Sequence, residues 1–322
     1  MSFAQINFVA TLAHDGEFTQ FYGSEALVSA YDVAVNGDII TLTSGTFTAP
    51  TFDKGITVRG VGIDEAEKTY IAGAIVTIQS TDSTQVSIFE GLVFNNTTRI
   101  YNHAESPNGQ GTLNFIKCKF NSISEYSGST SYPDRVPVVR FYNVVVTGNV
   151  SFYGYSKPNF VFSNSFVVNP GGPGKTNTSA FVNCVIEYPG SGGASFLNCY
   201  NCILNIVSPS SFTCSSFVLY NCLSIDSSDL KYSYGVDNST YTESIADIFK
   251  TYTSGYTDGE TFELNDNIKS LYPGTDGTQI GMQGGNYPFT TTVQYPIITK
   301  FQPEATTDKD GKLSINLEVD GE

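Results

Sequence analysis

The sequence has no tryptophan, two methionines and only two histidines, His14 and His103, so chemistry that needs several imidazoles has almost nothing to draw on. No serine stands in a Gly-x-Ser-x-Gly elbow, which leaves a serine nucleophile with little support. Basic residues are scarce as well: 16 Lys and Arg against 31 Asp and Glu give a formal charge of -15. A field of that sign repels phosphate backbones, anionic membranes and polyuronate chains, which argues against nucleic acid as a partner. No stretch of about eighteen apolar residues is present, so no segment reads as inserting into a membrane. Met1 to Ala13 lack the basic start and apolar run of a secretory leader. The expectation is either release by another route, as a phage particle leaves at lysis, or a leader already trimmed.

What is present is apolar and turn-rich. Hydrophobic residues make up 40%, with 23 Phe and 20 Tyr, and 30 Gly with 13 Pro supply turns, while charged residues reach only 15%. That profile points to an all-β chain with enough material for an extended core. Cys118, Cys184, Cys199, Cys202, Cys214 and Cys222 mostly lie inside apolar runs, so they read as buried free thiols rather than a disulfide framework. Cys199 and Cys202 have Cys-x-x-Cys spacing, but no second pair or histidine is near in sequence, and neither a metal site nor a cofactor is expected.

A short motif recurs from Ile88 to Ile225: an aromatic or aliphatic residue, any residue, a polar residue, a small residue, then alternating apolar residues. Its polar position steps through 90, 117, 143, 164, 183, 201 and 221, intervals of 27, 26, 21, 19, 18 and 20. Such spacing, with short strands between Gly, Pro, Ser and Asn, predicts a coil that winds once per repeat and stacks on its predecessor. A meander of hairpins would need two-residue Asn-Gly or Asp-Gly turns, which are nearly absent here apart from Asn108-Gly109. Asn143, Asn164, Asn183, Asn201 and Asn221 then predict a ladder of side-chain amides, each bonding the next along the axis. The alternative is that Asn simply suits turns. Val144, Ser165, Cys184, Cys202 and Cys222 would form a neighbouring column of small residues.

The amino-terminal part resembles pectin-lyase-like β-helices through Asp15-Gly16 with Phe18-Thr19, a helical stretch from Ser24 to Val35, Gly37-Asp38-Ile39-Ile40-Thr41-Leu42, and Ile56 to Gly62. The resemblance covers roughly residues 15 to 225 and implies a right-handed parallel β-helix whose helix caps the first coil. Gly274 to Phe289 is similar to the closing segment of β-helix surface proteins of gut Bacteroidetes and of their phages, and a short terminal module like theirs follows. In that module Ile297–Phe301 and Leu313–Val319 alternate as two strands, joined by Asp308-Lys309-Asp310-Gly311, read as a turn rather than a calcium loop. Three parts are expected: 1–227, cap and coils; 228–290, further coils and a segment capping the far end, with a helix near Glu243 to Lys250; and 291–322, a strand module for docking or oligomerisation.

Enzymes of the resembled family use clustered carboxylates with a basic residue, and no coil here carries two carboxylates side by side. No catalytic residue is carried over. The best remaining constellation is Asp134 and Arg135 with Arg140, Lys157 and His103, and its bland reading is a wet loop. Tyr126, Tyr132, Tyr153 and Tyr155 lie among Gly and Ser on loops, a composition suited to glycan contact, with packing against the coil as the alternative. The expected function is a non-enzymatic structural or adhesive β-helix on a particle or cell surface, a bacteriophage virion protein among the readings. Its expected partners are a surface glycan, other virion or surface proteins, and copies of itself, for which a trimer is the form associated with phage fibres. A secreted polysaccharide lyase or glycoside hydrolase and a surface-anchored bacterial binder are the alternatives.

Overall fold

The computed structural model describes residues 8–79, 82–102, 111–127, 138–151, 159–171, 180–188, 193–195, 198–206, 213–215, 218–224, 236–237, 240–241, 244–293, 297–303 and 315–320. They divide between two compact units, residues 1–291 and 292–322. The first is a parallel β-solenoid. Sheet A takes one strand per coil in chain order, from Ile39–Leu42, Thr57–Arg59 and Val86–Glu90 through Thr112–Ile116, Val138–Tyr142, Asn159–Ser163, Ala180–Val182 and Asn198–Tyr200 to Val218–Tyr220 and Val236–Asp237. All of these neighbours pair parallel. Sheet B takes the following segment of each coil, including Val93–Asn102, Lys119–Ser127, Phe166–Val168, Val185–Tyr188, Ile203–Ile206 and Leu223–Ser224. The coil extends one turn beyond the motif read from sequence, since Val236–Asp237 and Thr240–Tyr241 join the two sheets.

The chain passes from sheet A to sheet B through a two-residue corner whose first residue is left-handed: Gly91, Lys117, Asn143, Asn164, Asn183, Asn201 and Asn221 have φ of 64°, 51°, 53°, 49°, 52°, 53° and 52°. Among side-chain-bearing residues Asn tolerates that conformation best, which explains why it recurs. The register Glu90↔Ile116 shows that Gly91, not Glu90, is the counterpart of Lys117. The motif is therefore shifted by one residue in its first copy. The second corner residue points inward: Leu92, Cys118, Val144, Ser165, Cys184, Cys202 and Cys222 are all buried.

Inside, parallel register stacks like on like. Phe89, Phe115, Phe141, Phe162 and Phe181 form a continuous stack with ring centroids 5.1, 5.0, 4.2 and 5.0 Å apart. Each such pair adds about 0.5–1.5 kcal/mol beyond its burial. Cys199 and Leu219 continue the column. The described thiols, those of Cys118, Cys184, Cys199, Cys202 and Cys222, are buried and form no disulfide among the described residues. Cys184 Sγ donates to Phe162 O at 3.4 Å and Val182 O at 3.3 Å, and Cys202 Sγ donates to Phe181 O at 3.2 Å and Tyr200 O at 3.3 Å, so each bridges two coils. Burial pushes the Cys118 thiol up to about 12 and also raises Cys222; Cys199 is raised first by its contact with Cys202, then by burial. These are packing groups, not nucleophiles.

At the amino-terminal end Val9–His14 and Glu17–Tyr22 form an antiparallel hairpin, and the first of them pairs antiparallel with Ile39–Leu42. Its turn is Asp15-Gly16, with φ of 48° and 83°, an Asp-Gly hairpin signal that lay outside the motif region. Helix α1 (Ala26–Val33) buries Ala26, Leu27, Ala30 and Tyr31 beside this hairpin and the first coil.

Residues 245–289 depart most from expectation. The predicted short helix is present as α2 (Ile245–Ile248), and it opens a segment whose described contacts run along sheet B. It lies as a strap along the outer face of sheet B, where Val145, Phe166, Val185, Ile203 and Leu223 pack with Phe249, Tyr252, Phe262, Leu264, Ile280 and Met282 in a second core. The physical reason is that these outward sheet B positions are themselves apolar and need cover; each fully buried side chain of this kind is worth about 1.5–3 kcal/mol. Among the described residues no helix is long and apolar enough to cross a membrane. In the second unit Ile297–Pro303 and Ile315–Asp320 pair antiparallel.

Candidate functional site

The strap is held by polar groups at three places. Glu187 lies on the outer face of sheet B, only 4% exposed, and its Oε2 accepts from Tyr252 Oη, from Gly255 N at 2.8 Å and from Asn205 Nδ2 at 3.4 Å. Burial first, and the Glu187 charge second, drive the Tyr252 hydroxyl far above its ordinary range, so it remains a donor. Further along, Tyr256 Oη donates to both carboxylate oxygens of Asp64 at 2.7 and 2.8 Å. Asp258 pairs with Lys68 and, at 2.9 Å, with Lys119, whose ammonium also sits 5.0 Å over the Tyr256 ring. Partial burial would raise the Asp258 carboxyl, but the two lysines outweigh it and hold it low.

The third fastening is the asparagine corner. Asn143, Asn164, Asn183, Asn201 and Asn221 occupy successive corners, each in the same left-handed backbone state. Their bonding differs from a continuous ladder. Asn221 Nδ2 donates to Asn201 Oδ1 at 2.9 Å, while Asn143 Oδ1 and Asn183 Oδ1 accept no hydrogen bond from the described residues. The amides turn instead to the strap: Asn143 Nδ2 donates to Pro288 O at 3.4 Å, Asn164 Nδ2 to Met282 O and Gly284 O at 2.9 and 2.6 Å, and Asn221 Nδ2 to Pro273 O at 2.9 Å. Asn201 bonds Thr275 through both Nδ2 and Oδ1. The approach is so close that a Cβ on Gly285, whose φ is +75°, would lie 2.4 Å from Asn183 Nδ2. Backbone carbonyls of 273–288 thus take the place of the next asparagine.

The residues singled out for contact with a ligand or substrate fall elsewhere. Asp134, Arg135, Lys157, His103, Tyr132, Tyr153, Tyr155 and the Asp308–Gly311 turn lie outside the described residues. Tyr126 was expected on a loop; its backbone belongs to the strand Lys119–Ser127, paired with Tyr101, and its side chain lies outside the described residues. Arg140 stands on the outer face of sheet A, between Asn114 and Val161 of the neighbouring coils.

Topology still relates these positions. The segments 103–110, 128–137, 152–158 and 172–179 leave sheet B side strands that pair with one another, as Asn102↔Ser127 and Ser151↔Gly171 show. They return to paired sheet A strands, with Thr112↔Val138 and Val138↔Asn159. Four successive segments are therefore rooted along one edge of the solenoid; Tyr132, Asp134 and Arg135 belong to the second and Tyr153, Tyr155 and Lys157 to the third, while Tyr126 belongs to the strand before the second.

Sequence reasoning missed Glu187, Tyr252, Asp64 and Asp258. Glu187 carried a signal: a lone carboxylate in the apolar run Val185-Ile186-Glu187-Tyr188, registered against Asn205. Among the described residues no group of three or more His, Cys, Asp and Glu side chains is arranged to hold a metal ion. No protein-family model matches the chain, and no curated protein or solved structure matches it either.

Proposed function

We propose that this chain is a structural and adhesive β-helix displayed on a particle or cell surface, where loops along one edge of the solenoid contact glycans. The observation that carries this is the row of paired strands that the segments bearing Tyr132, Tyr153 and Tyr155 follow: Asn102 registers with Ser127 and Ser151 with Gly171, while Ser151 registers with Ser124, three residues before Ser127. Tyrosine rings presented by loops on a rigid frame suit sugar faces at small entropic cost. The likeness of Gly274–Phe289 to the closing segment of β-helix surface proteins of gut Bacteroidetes and, by extension, of their phages supports a virion component, capsid- or tail-associated, of a gut Bacteroidetes phage as the setting. The polar groups around Glu187 and Asp258 serve to fasten the strap, which fits a scaffold rather than a catalyst.

A glycan array tests the contact. Binding to a neutral glycan that falls at least about tenfold in Tyr132→Ala and Tyr153→Ala is the expected result, and unchanged binding in both variants sinks it. Release of reducing ends or unsaturated sugars, abolished by Asp134→Asn, would replace the adhesive reading with a lyase or hydrolase. Detection in purified phage particles tests the setting, and a gene lying in a polysaccharide-utilisation cluster would point to a bacterial surface binder instead.

A further inference from the structure

The aromatic stack of the core ends where the thiols gather. Phe181 is the last ring of its column, which continues through Cys199 and Leu219 in the following coils. Beside it, the inward corner position is held by Cys184, Cys202 and Cys222 in successive coils. Ile203 N donates to Cys184 O and Leu223 N to Cys202 O, each at 2.9 Å, so the three residues stand in register one coil apart. None is more than 2% exposed. Cys222 Sγ reaches toward the preceding coil and donates to Cys199 O at 3.3 Å, while Cys184 N donates to Cys202 Sγ at 3.4 Å. Burial first, and contact with the Cys202 thiol second, raise the Cys222 pKa.

We propose that Cys202 and Cys222 form a redox-switched staple: thiols that pack the core under reducing conditions, and a disulfide joining two of the last coils under oxidising ones. Neighbouring coils lie ~4.8 Å apart, inside the ~4.4–6.8 Å between Cα atoms that a disulfide spans. Cβ atoms at that spacing need close by only a few tenths of an ångström to reach the ~4.5 Å end of the allowed range. In the closed coil the two thiols are inert. Pairing in sheet A shrinks from five residues at Thr112–Ile116 to three at Val218–Tyr220 and two at Val236–Asp237, so opening starts at this end and uncovers Cys222 first. The Cys222 thiolate then attacks a small-molecule disulfide such as oxidised glutathione, forming a mixed disulfide and releasing one glutathione thiolate. The Cys202 thiolate attacks the Cys222 sulfur and releases the second. One disulfide is made and one is reduced, and the two protons lost by the protein thiols pass to the two glutathione thiolates. This chemistry is independent of the glycan reading; a chain made in a reducing compartment and displayed outside it passes from the first state to the second.

The full chain, purified reduced, is incubated with oxidised glutathione at neutral pH, quenched in acid, and its remaining thiols are alkylated after unfolding. The expected product has one thiol pair fewer than the six thiols of the reduced chain, with Cys202 and Cys222 linked in its peptide map. Its melting temperature should rise by roughly 5 °C and return to the reduced value with a dithiol reductant. Cys222→Ser places at the corner the residue that Ser165 supplies there, and Cys202→Val the residue of Val144; both should keep every remaining thiol and show no thermal shift. Should either variant fail to fold, the peptide map of the parent decides. Six surviving thiols, a glutathione adduct that never resolves, or a bond made through Cys184, Cys199 or Cys214 would overturn the proposal. So would an equal thermal shift in folded Cys222→Ser.

Discussion

On sheet A the strand Val138–Tyr142 alternates, with Val139 and Phe141 buried and Val138, Arg140 and Tyr142 partly open, whereas on sheet B Val185, Ile186, Glu187 and Tyr188 are all buried. The two strands belong to the same kind of coil and each borders an asparagine corner, Asn143 for the first and Asn183 for the second. Their textures differ because sheet A has one packed face and sheet B has two, the second made by the strap. An unbroken apolar run in a solenoid strand is thus a statement about what lies outside the coil as much as inside it.

The largest test of that contrast exchanges one ring on each outer face for Ala. Phe166 stacks on Phe262 at 5.2 Å beneath the strap, and Phe166→Ala should cost about 3–5 kcal/mol in denaturant unfolding. Tyr200→Ala on the open face should cost about 1 kcal/mol or less. Equal losses would mean that sheet B is not covered in solution. A smaller effect concerns the strap's polar anchor. Glu187→Leu leaves Tyr252 Oη and Gly255 N buried without their acceptor, a loss of about 2–3 kcal/mol, and Glu187→Gln, which keeps one acceptor oxygen, should lose roughly half as much. Hydrogen exchange should quicken in 245–289 in both variants while the Phe115–Phe181 strands keep their protection; uniform quickening would erase the distinction between strap and coil.

Much of sheet A was legible because its signal is local and periodic: alternate residues face the Phe stack, and Asn marks five of the seven left-handed corners from Gly91 to Asn221. The covering of sheet B was not, because nothing within a strand says which distant segment will lie on it. The strap has no period of its own. Its contacts are set by individual residues such as Tyr252 and Gly285, which meet Glu187 and Asn183 from far along the chain. For the same reason the asparagine column could be read while its partners could not, since a carbonyl of Pro288 or Gly284 serves as well as the next amide. Of the candidate contact residues, only the row in which their loops are rooted follows from topology.

The corner offers a finer comparison, because Asn201 and Asn183 share a backbone state but not a set of partners. Both Ala substitutions place a Cβ residue other than Asn at positive φ, at about 1–2 kcal/mol. Asn201→Ala also removes bonds to Thr275 and Asn221, so it should cost about 1 kcal/mol more than Asn183→Ala. If the two variants melt alike, the strap bonds seen at Asn201 contribute nothing net. Asn183→Gly, which relieves the backbone without adding a Cβ, should be the mildest change of the set.

The smallest expected effect separates the ends of the two sheets. Sheet B is covered along its length by apolar burial, whereas the hairpin that begins sheet A adds a polar tie to its strand pairing with Ile39–Leu42, His14 Nδ1 lying 2.8 Å from Asp38 Oδ1. That hydrogen bond first, the Asp38 charge second and Asp15 third raise the His14 pKa above 6.5. A raised histidine stabilises the fold fully below its unfolded pKa, and the contribution fades as pH rises through the folded value. The His14 imidazole should therefore titrate above 6.5 by NMR, and the parent should lose a little stability between about pH 6 and 8 that His14→Gln does not lose. The strap should be indifferent across that interval, since Asp258, held low by its two lysines, titrates only in acid. A parent whose hairpin and strap respond alike to pH across that range would show that the two ends are not held by different forces.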